Sequence, residues 1–183
     1  PGNTVSNLSS TRALREVTEK YKQKYFASAV GEVNVVEMMK ANNAIIGGEG
    51  NGGIIYPELH YGRDALVGIA LFLTHLAKYG KSVSMLRATY PNYYISKNKI
   101  ELTPEINVDE ILKRVQEKYT KQPINTIDGL KIEFDHSWVH LRKSNTEPII
   151  RIYSEAESMV TADNLANKII RDIKEFTSEM MLK

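Results

Sequence analysis

The tripeptide Tyr90-Pro91-Asn92 separates two different sequence patterns, and this change constrains the fold more than any other feature. Before it, short apolar runs alternate with segments of helical periodicity, which predicts strands and helices in turn. After it, three strand-like runs follow one another between two helical segments. Proline disfavours a helical conformation in the residue before it, so a linker is expected here. The sequence therefore predicts two domains, residues 1–90 and residues 91–183.

The two parts predict different fold classes. Alternating strands and helices favour an α/β domain, with a mixed sheet and helices packed on it. The later part favours a smaller α+β domain with an antiparallel sheet and two helices. Strands are predicted over residues 4–8, 25–30, 43–46, 93–102, 127–134, 138–142 and 149–154. Helices are predicted over residues 10–24, 34–40, 64–79 and 84–88, near 107, and from a cap at Thr161 onward.

One predicted helix is unusually apolar. It follows Asp64, which can cap its first turn, and it ends at Tyr79 before Gly80. Residues 65–73 form its most apolar stretch, which is too short to cross a bilayer. We therefore expect a capped helix buried inside the first domain.

Charge and composition exclude several functional classes. The 183 residues carry a formal net charge of +2, which falls short of the basic surface of a dedicated nucleic-acid binder. The absence of cysteine excludes disulfides, thiolate metal sites and cysteine nucleophiles. The four histidines lack metal-ligand spacing, so no metal site is predicted in the chain. The polar start contains no apolar run of a signal peptide, and we expect a cytoplasmic protein without membrane partners.

A cluster of hydrogen-bond donors lies between two predicted strands of the second domain. Arg142 and Arg151 flank a segment that includes Ser144, Asn145 and Thr146. Hydroxyl and amide donors, together with a bidentate guanidinium, suit the oxygens of a phosphate. A polar hairpin turn with solvated arginines would have the same composition. The residues alone leave both interpretations open.

Residues 47–53 form a glycine-rich loop in the first domain, with Glu49 and Asn51 as its polar side chains. Gly50 and Gly52 allow close approach to a ligand and a positive φ. A carboxylate presented in this way can accept hydrogen bonds from two neighbouring hydroxyls of a sugar. Asn51-Gly52 flanked by apolar residues also predicts a simple β-hairpin. Here too the residues alone favour neither interpretation.

Taken together, the two loops resemble the C-terminal signatures of the α-phosphohexomutase family. These signatures are Gly-Glu-Gly-Asn-Gly-Gly at residues 48–53 and Arg-Lys-Ser-Asn-Thr-Glu-Pro at residues 142–148. Residues 9–12, 30–31 and 151–156 also fall where the family has related residues. The family includes phosphoglucomutase, phosphomannomutase and phosphoglucosamine mutase.

The resemblance implies roles for both loops in binding a hexose phosphate. Family members have four domains, and this chain resembles the third and fourth. The third supplies a sugar-binding glutamate, matched by Glu49 with Asn51 and the neighbouring glycines. The fourth supplies a phosphate-binding loop, matched by Arg142, Ser144, Asn145 and Thr146, with Arg151 beside it. Hexose phosphate and the missing N-terminal domains are therefore the expected partners.

The resemblance also implies which parts of the reaction lie elsewhere. The phosphoserine belongs to the first domain and the loop that holds Mg²⁺ to the second, and neither loop occurs in this sequence. The phosphoserine converts the substrate to a hexose bisphosphate, which reorients and returns its other phosphate to the serine. We therefore expect no catalytic residue in these 183 residues and no mutase activity from them alone.

Two further charged residues fall near the expected cleft. Arg12 lies where relatives carry a basic residue, although an exposed helix arginine would look the same. Glu32 lies at a position where phosphoglucosamine mutases have a similar residue. Its carboxylate could attract the ammonium of glucosamine phosphate, which would favour this substrate over glucose or mannose phosphate. The alternative from another class is a non-catalytic module that binds nucleic acid or protein. Ten tyrosines and the basic residues 97 and 99 suggest it, although acidic residues interrupt any basic surface.

Overall fold

The structure is a computed structural model, and it describes residues 1–103, 106–144 and 148–181. The chain forms two compact units, Pro1–Asn92 and Tyr93–Lys183, of nearly equal length. The division lies two residues after Tyr90, where the sequence pattern changes. Within the described ranges, no helix is long and apolar enough to span a membrane.

The first unit is an α/β domain. Its elements are β1 (Thr4–Asn7), α1 (Ala13–Lys20), β2 (Tyr25–Ser28), α2 (Glu32–Ala41), β3 (Ile46–Gly48), β4 (Ile54–Ile55), α3 (Ala65–Tyr79) and α4 (Val83–Arg87). The sheet has the order β2-β1-β3-β4. Strand β1 pairs in parallel with β2 and β3, and β4 pairs antiparallel to β3. The predicted mixed sheet is confirmed.

The core of this unit lies between the sheet and α2. Val5 on the central strand and Val35 and Met39 on α2 are fully buried. A Cβ atom at Gly47 would lie 2.4 Å from the sulfur of Met39, so the glycine allows α2 to pack closely on β3. Close packing places the start of α2 beside the end of β3.

The strand order creates a crevice at one edge of the sheet. The chain leaves β1 towards β2 on one side, and it leaves β3 towards β4 on the other side. In open α/β sheets, ligands bind outside the carboxyl ends of strands at such a switch point. The carboxyl ends of β1 and β3 are Asn7 and Gly48, and Glu49 follows directly.

Helix α3 is capped as predicted, but the prediction that it is buried is wrong. Asp64 Oδ1 accepts hydrogen bonds from the backbone N–H groups of Leu66 and Val67, at 2.8 and 3.0 Å. No residue of α3 is buried, and Leu66 is 77% exposed. Its neighbours in the first unit are the two-residue strand β4 and the short α4. These elements are too small to cover both sides of a 15-residue helix.

The second unit is an α+β domain. Its elements are β5 (Tyr94–Glu101), α5 (Val108–Lys118), β6 (Ile124–Asn125), β7 (Leu130–Phe134), β8 (Ser137–Lys143), β9 (Ile149–Ala156) and α6 (Met159–Met181). The sheet has the order β5-β9-β8-β7-β6, and every neighbouring pair is antiparallel. The predicted antiparallel sheet with two helices is confirmed.

One apolar core joins both helices to this sheet. Its fully buried members include Ile111 and Val115 on α5, Ile169 and Ile173 on α6, and Ile152 on β9. The predicted apolar stripe of α6 therefore faces the core. Residues of a strand alternate between the two faces of a sheet. Every second side chain of the central strands therefore lies on the face away from this core and can be polar.

Several element boundaries differ from the prediction, and two of the differences have a local cause. Strand β7 begins at Leu130 rather than residue 127, because Gly129 has a φ of +72° and turns the chain before the strand. Helix α6 begins at Met159 rather than after Thr161. Ser158 Oγ accepts a hydrogen bond from the backbone N–H of Thr161 at 3.1 Å, so Ser158 rather than Thr161 stabilises the first turn of the helix.

Candidate functional site

Glu49 begins a tight turn between β3 and β4. Its backbone N–H donates to the carbonyl of Gly53, and its own carbonyl accepts from Gly52 N–H, both at 3.2 Å. Gly52 has a φ of +89°, and a Cβ atom on Gly48 would lie 2.1 Å from the Gly53 oxygen. The segment is thus the hairpin that Asn51-Gly52 predicted, and this hairpin presents Glu49.

Two donors fix the carboxylate of Glu49. Its Oε1 accepts a 2.7 Å hydrogen bond from Asn7 Nδ2 and a 2.9 Å bond from the backbone N–H of Gly31. Gly31 is the N-cap of α2, where the positive end of the helix dipole favours an anion. Its other oxygen, Oε2, accepts no hydrogen bond from the residues that the structure describes. Half of the carboxylate is therefore held in place and half remains available to a ligand.

Asn7 is itself held by the loop that follows β1. Its Oδ1 accepts hydrogen bonds from the backbone N–H of Ser9 at 3.0 Å and from Ser10 Oγ at 2.9 Å. The backbone N–H of Ser9 can only donate, so the amide oxygen lies on that side and the amide nitrogen faces Glu49. The sequence analysis missed this role of Asn7. The sequence feature that could have indicated this role is a polar residue at the carboxyl end of a parallel strand.

A cavity of about 180 Å³ lies beside this carboxylate. Its walls include Ser6, Ser10, Thr11, Gly48, Glu49 and Gly50. Gly50 lies against Ser10, with 3.5 Å between the Ser10 Oγ and the place a Cβ would take. These residues expose almost only apolar atoms to the cavity, so it is a mainly apolar space next to the glycine-rich turn.

Asn51 and Gly52, also predicted to bind the sugar, shape the turn. Asn51 Oδ1 accepts a 3.1 Å hydrogen bond from the backbone N–H of Gly53, and both Asn51 and Gly52 are exposed. The amide oxygen of Asn51 therefore stabilises the hairpin. A direct contact between Asn51 and a ligand stays a prediction.

The two charged residues predicted near the cleft are both engaged. Arg12 Nε lies 3.1 Å from Glu16 Oε1, one turn further along α1. Glu32 Oε2 lies 2.7 Å from Arg63 Nε, and its Oε1 accepts a 3.2 Å hydrogen bond from the Arg63 backbone N–H. The Arg63–Glu32 pair is close to neutral, which weakens the attraction of Glu32 for an ammonium group. Roles for Arg12 and Glu32 in substrate binding stay predictions.

Three cations form a row across the sheet of the second unit. Arg142 on β8 lies directly opposite Arg151 on β9, and Arg151 lies directly opposite Lys99 on β5. Residues opposite each other on neighbouring strands point to the same face. Like charges in such positions repel each other, so the row favours an anionic ligand or nearby carboxylates.

The predicted phosphate loop begins at the end of this row. Ser144 is buried, and its backbone N–H donates a 3.0 Å hydrogen bond to the carbonyl of Ile149, which ties the start of the loop to its end. Asn145 and Thr146 lie outside the described residues. The structure thus places Arg142, Ser144 and Arg151 near one another in the second unit, and their role in binding phosphate stays a prediction.

A carboxylate that the sequence analysis missed lies beside Arg142. Asp128 Oδ2 is 2.8 Å from Arg142 Nε, and the backbone carbonyl of Asp128 lies 2.6 Å from His140 Nε2. His140 is almost fully buried, and this burial lowers its pKa from 6.5 to about 4, so it is neutral at physiological pH. The sequence analysis placed Asp128 in a strand, although Asp128-Gly129 is a turn signal.

Over residues 1–103, 106–144 and 148–181, no three His, Asp or Glu side chains are grouped so that they could hold a metal ion. The residues described here therefore do not fit a Mg²⁺ site.

Comparison with protein-family models identifies the family of this chain. Residues 1–93 match the family model described as phosphoglucomutase/phosphomannomutase, alpha/beta/alpha domain III. Residues 99–172 match the model for the phosphoglucomutase/phosphomannomutase C-terminal domain. The chain belongs to the phosphoglucomutase/phosphomannomutase family. The resemblance of the two loop signatures is thereby confirmed.

Individual members of the phosphoglucomutase/phosphomannomutase family agree with this assignment. The chain is 38% identical over 167 residues to a phosphoglucosamine/phosphogalactosamine mutase of Sulfurisphaera tokodaii, covering 90% of this chain and 37% of the relative. It is also 38% identical over 159 residues to a phosphoglucomutase/phosphomannomutase of Thermococcus kodakarensis, covering 86% of this chain and 34% of the relative.

Solved structures show the same fold. A family protein from Burkholderia thailandensis superposes with a TM-score of 0.77 at 24% identity, covering 96% of this chain and 38% of the other. The chain thus spans less than half the length of the phosphoglucomutase/phosphomannomutase relatives that it matches.

Proposed function

We propose that this chain is the C-terminal, substrate-binding part of a phosphohexomutase that interconverts hexose 1-phosphate and hexose 6-phosphate. The observation that carries the proposal is the geometry of Glu49 at the switch point of the first unit. Asn7 and Gly31 hold one oxygen of its carboxylate, and the other faces no donor among the described residues. Family membership supports the reaction class.

In this proposal Glu49 binds the sugar through its hydroxyl groups. A carboxylate oxygen has two lone pairs and can accept from two neighbouring hydroxyls. The bonds from Asn7 and Gly31 fix the carboxylate before the ligand arrives, so less side-chain freedom is lost on binding. The same geometry accepts any hexose with two adjacent equatorial hydroxyls, which suits an enzyme that binds its substrate in two orientations.

The second unit binds the phosphate group of the substrate in this proposal. Arg142 and Arg151 supply charge and planar donors, and the loop from Ser144 through Asn145 and Thr146 supplies hydroxyl, amide and backbone donors. Hydrogen bonds to charged groups contribute about 1.5–3 kcal/mol each. Two such contacts would dominate the affinity for a sugar phosphate.

In our proposal, residues in the rest of the enzyme carry out the phosphoryl transfer. There a phosphoserine transfers its phosphoryl group to the free hydroxyl of the sugar phosphate, and the hexose bisphosphate returns its other phosphoryl group to the serine after reorienting. We propose that Mg²⁺ is also held there, where it would offset the charge of the transferring group. These 183 residues alone would then have no mutase activity.

The exposed face of α3 supports the existence of further domains. Leu66, Ile69 and Leu73 are 77%, 54% and 54% exposed, and they recur at helical spacing on one side of the helix. Lys78 is the only Lys, Arg, Asp or Glu of α3. Such a stripe is typical of a helix that packs against protein. Because the chain spans less than half of its relatives' length, we propose that the N-terminal domains of the same polypeptide cover this face.

We propose glucosamine phosphate as the substrate, with glucose or mannose phosphate as the alternatives. Several relatives are named phosphoglucosamine mutase, including those of Methanopyrus kandleri and Methanococcus maripaludis, at 29% and 28% identity. Glu32 adds less support than the sequence suggested, because Arg63 already neutralises it. We propose a cytoplasmic enzyme with neither nucleic acid nor membrane as a partner.

Calorimetric titration of the 183-residue chain tests the binding role. We expect millimolar binding of glucosamine 6-phosphate, or about −4 kcal/mol, because only part of the cleft is present. Glu49→Gln keeps the shape of the side chain but replaces one oxygen with a donor, and it should weaken this binding. Glu58→Gln, on the exposed loop after β4, is the matched control and should not change it. Equal affinity of all three proteins would contradict the proposal.

A mutase assay tests whether these 183 residues can catalyse the reaction on their own. Conversion of glucosamine 1-phosphate to glucosamine 6-phosphate, primed with a hexose bisphosphate, should be undetectable for the chain at any Mg²⁺ concentration. Turnover by the purified chain would show that the chemistry lies within these residues.

A further inference from the structure

We infer that Asp128 is a positioning residue that orients Arg142 for the phosphate of the substrate. The inference deepens the proposed function and rests on it, because it assigns to Asp128 the alignment of a proposed phosphate ligand. It starts from the 2.8 Å contact between Asp128 Oδ2 and Arg142 Nε.

The position of Asp128 is set by its neighbours in the turn before β7. Gly129 has a φ of +72°, and a Cβ atom there would lie 2.2 Å from the Leu141 carbonyl oxygen and 3.2 Å from the Arg142 Cα. The turn therefore runs directly against β8 at the base of Arg142. The Asp128 carbonyl, 2.6 Å from His140 Nε2, ties the turn to β8 a second time.

The contact uses the one nitrogen of Arg142 that a phosphate needs least. A guanidinium is planar, and its two terminal nitrogens form the fork that matches two oxygens of a phosphate. Asp128 engages Nε, and the terminal nitrogens of Arg142 make no hydrogen bond with the residues described. The Arg142 Nε–H makes no hydrogen bond among the described residues, so the 2.8 Å ion pair with Asp128 holds the guanidinium by charge, and its fork remains available. A long side chain fixed in this way loses less rotamer freedom when it binds.

The neighbouring ion pair provides a matched control. Lys143, the next residue of β8, has its Nζ 3.0 Å from Asp109 Oδ2. These side chains are 52% and 70% exposed, whereas those of Arg142 and Asp128 are 27% and 23% exposed. Solvent screens the exposed pair, so it orders Lys143 far less. Asp128→Asn and Asp109→Asn each remove one negative charge near the same loop.

The sign of the effect on binding separates positioning from simple electrostatics. Removal of a carboxylate near an anion site should strengthen phosphate binding if charge alone matters. If Asp128 orients Arg142, Asp128→Asn should instead weaken binding of glucosamine 6-phosphate by about tenfold, the loss of one contact to a charged group. Asp109→Asn should leave the affinity unchanged or slightly higher. Asp128→Glu, which keeps the charge, should recover part of the loss.

Side-chain NMR relaxation provides a readout that needs no ligand. The ¹⁵N order parameter of Arg142 Nε should be high in the wild-type chain and should fall in Asp128→Asn but not in Asp109→Asn. Unchanged order in Asp128→Asn, or tighter binding by it, would overturn the inference. If the wild-type chain binds no sugar phosphate, the proposed function fails, and the order parameter alone then decides whether Asp128 fixes Arg142.

Discussion

Asn7 and Glu49, 42 positions apart in the sequence, are joined by a 2.7 Å hydrogen bond at the carboxyl ends of β1 and β3. Asn7 is 5% exposed, and its other amide atom accepts two hydrogen bonds from the loop after β1. The bond connects the two loops that leave the sheet in opposite directions. The position of the candidate sugar ligand therefore depends on a residue from another strand.

Asn7→Ala should affect both stability and binding. The change leaves a partly buried carboxylate oxygen, a backbone N–H and a hydroxyl with one partner fewer each, which should lower the free energy of unfolding by about 1–3 kcal/mol. Asn34→Ala is the control, since Asn34 is exposed and makes one bond to the carbonyl of Val30. Urea denaturation measures stability, and titration with glucosamine 6-phosphate measures affinity. Equal losses for both variants would show that Asn7 has no special position.

Arg142→Ala should weaken binding of a sugar phosphate by about 1.5–3 kcal/mol, the value of a hydrogen bond to a charged group. Arg171→Ala removes the same charge from the exposed surface of α6 and should not change the affinity. Arg142→Lys should recover only part of the loss, because an ammonium lacks the planar fork. Titration calorimetry at constant ionic strength distinguishes these outcomes. Full recovery by lysine would show that charge alone is required.

His140 should make the second unit sensitive to acid. Burial lowers its pKa from 6.5 to about 4 in the folded state, so below pH 6.5 the unfolded chain takes up a proton that the folded chain does not. Stability should therefore fall from pH 6.5 to about 4, by about 1.4 kcal/mol per pH unit and about 3 kcal/mol in total.

Denaturation curves between pH 7 and pH 4 check this prediction. His140→Gln retains a donor for the Asp128 carbonyl and should flatten the pH dependence of the unfolding free energy. His136→Gln should not flatten it, because the His136 side chain is 74% exposed. A wild-type curve that stays level down to pH 4 would contradict the neutral, buried state of His140.

The effect of substitutions on the exposed face of α3 on protein stability should depend on whether the N-terminal domains are present. In the 183-residue chain, Leu66→Lys with Leu73→Lys should change the unfolding free energy by no more than about 0.5 kcal/mol per site, since both side chains are exposed. In a longer protein that includes the N-terminal domains, the same lysines would be buried and should lower the unfolding temperature. Val160→Lys, on exposed Val160 of α6, is the control. Equal effects in both lengths would contradict the docking proposal.

Much of the fold could be predicted because local patterns determine it. Most strands and helices, and the change of pattern at Tyr90-Pro91-Asn92, follow from periodicity, whereas the two-residue strands β4 and β6 are too short to be predicted in this way. Asp64 and Asn107 cap helices with the short side chains that favour this position. The exposure of α3 could not be predicted, because its sequence is that of a buried helix. Burial depends on what surrounds a helix as well as on its own residues.

The candidate site was only partly predictable for a similar reason. Glu49, Arg142, Ser144 and Arg151 lie in loops and strands with recognisable signatures. Asn7 and Asp128 carry only weak local signals, a polar residue at the end of a strand and an Asp-Gly turn, and neither signal indicates the partner residue. Their roles arise from strand order and from a glycine turn, which bring together residues distant in sequence.

The order of strands in the two sheets also bears on how each unit acquires its structure. In the second unit, β6, β7, β8 and β9 pair with their sequence neighbours, so most of the sheet forms through short loops. In the first unit, the central strand β1 is made first during synthesis, and both partners arrive later through intervening helices. Long-range parallel pairing slows folding. We therefore expect the unit that carries the arginines to complete most of its sheet sooner than the unit that carries Glu49, even though Glu49 is translated first.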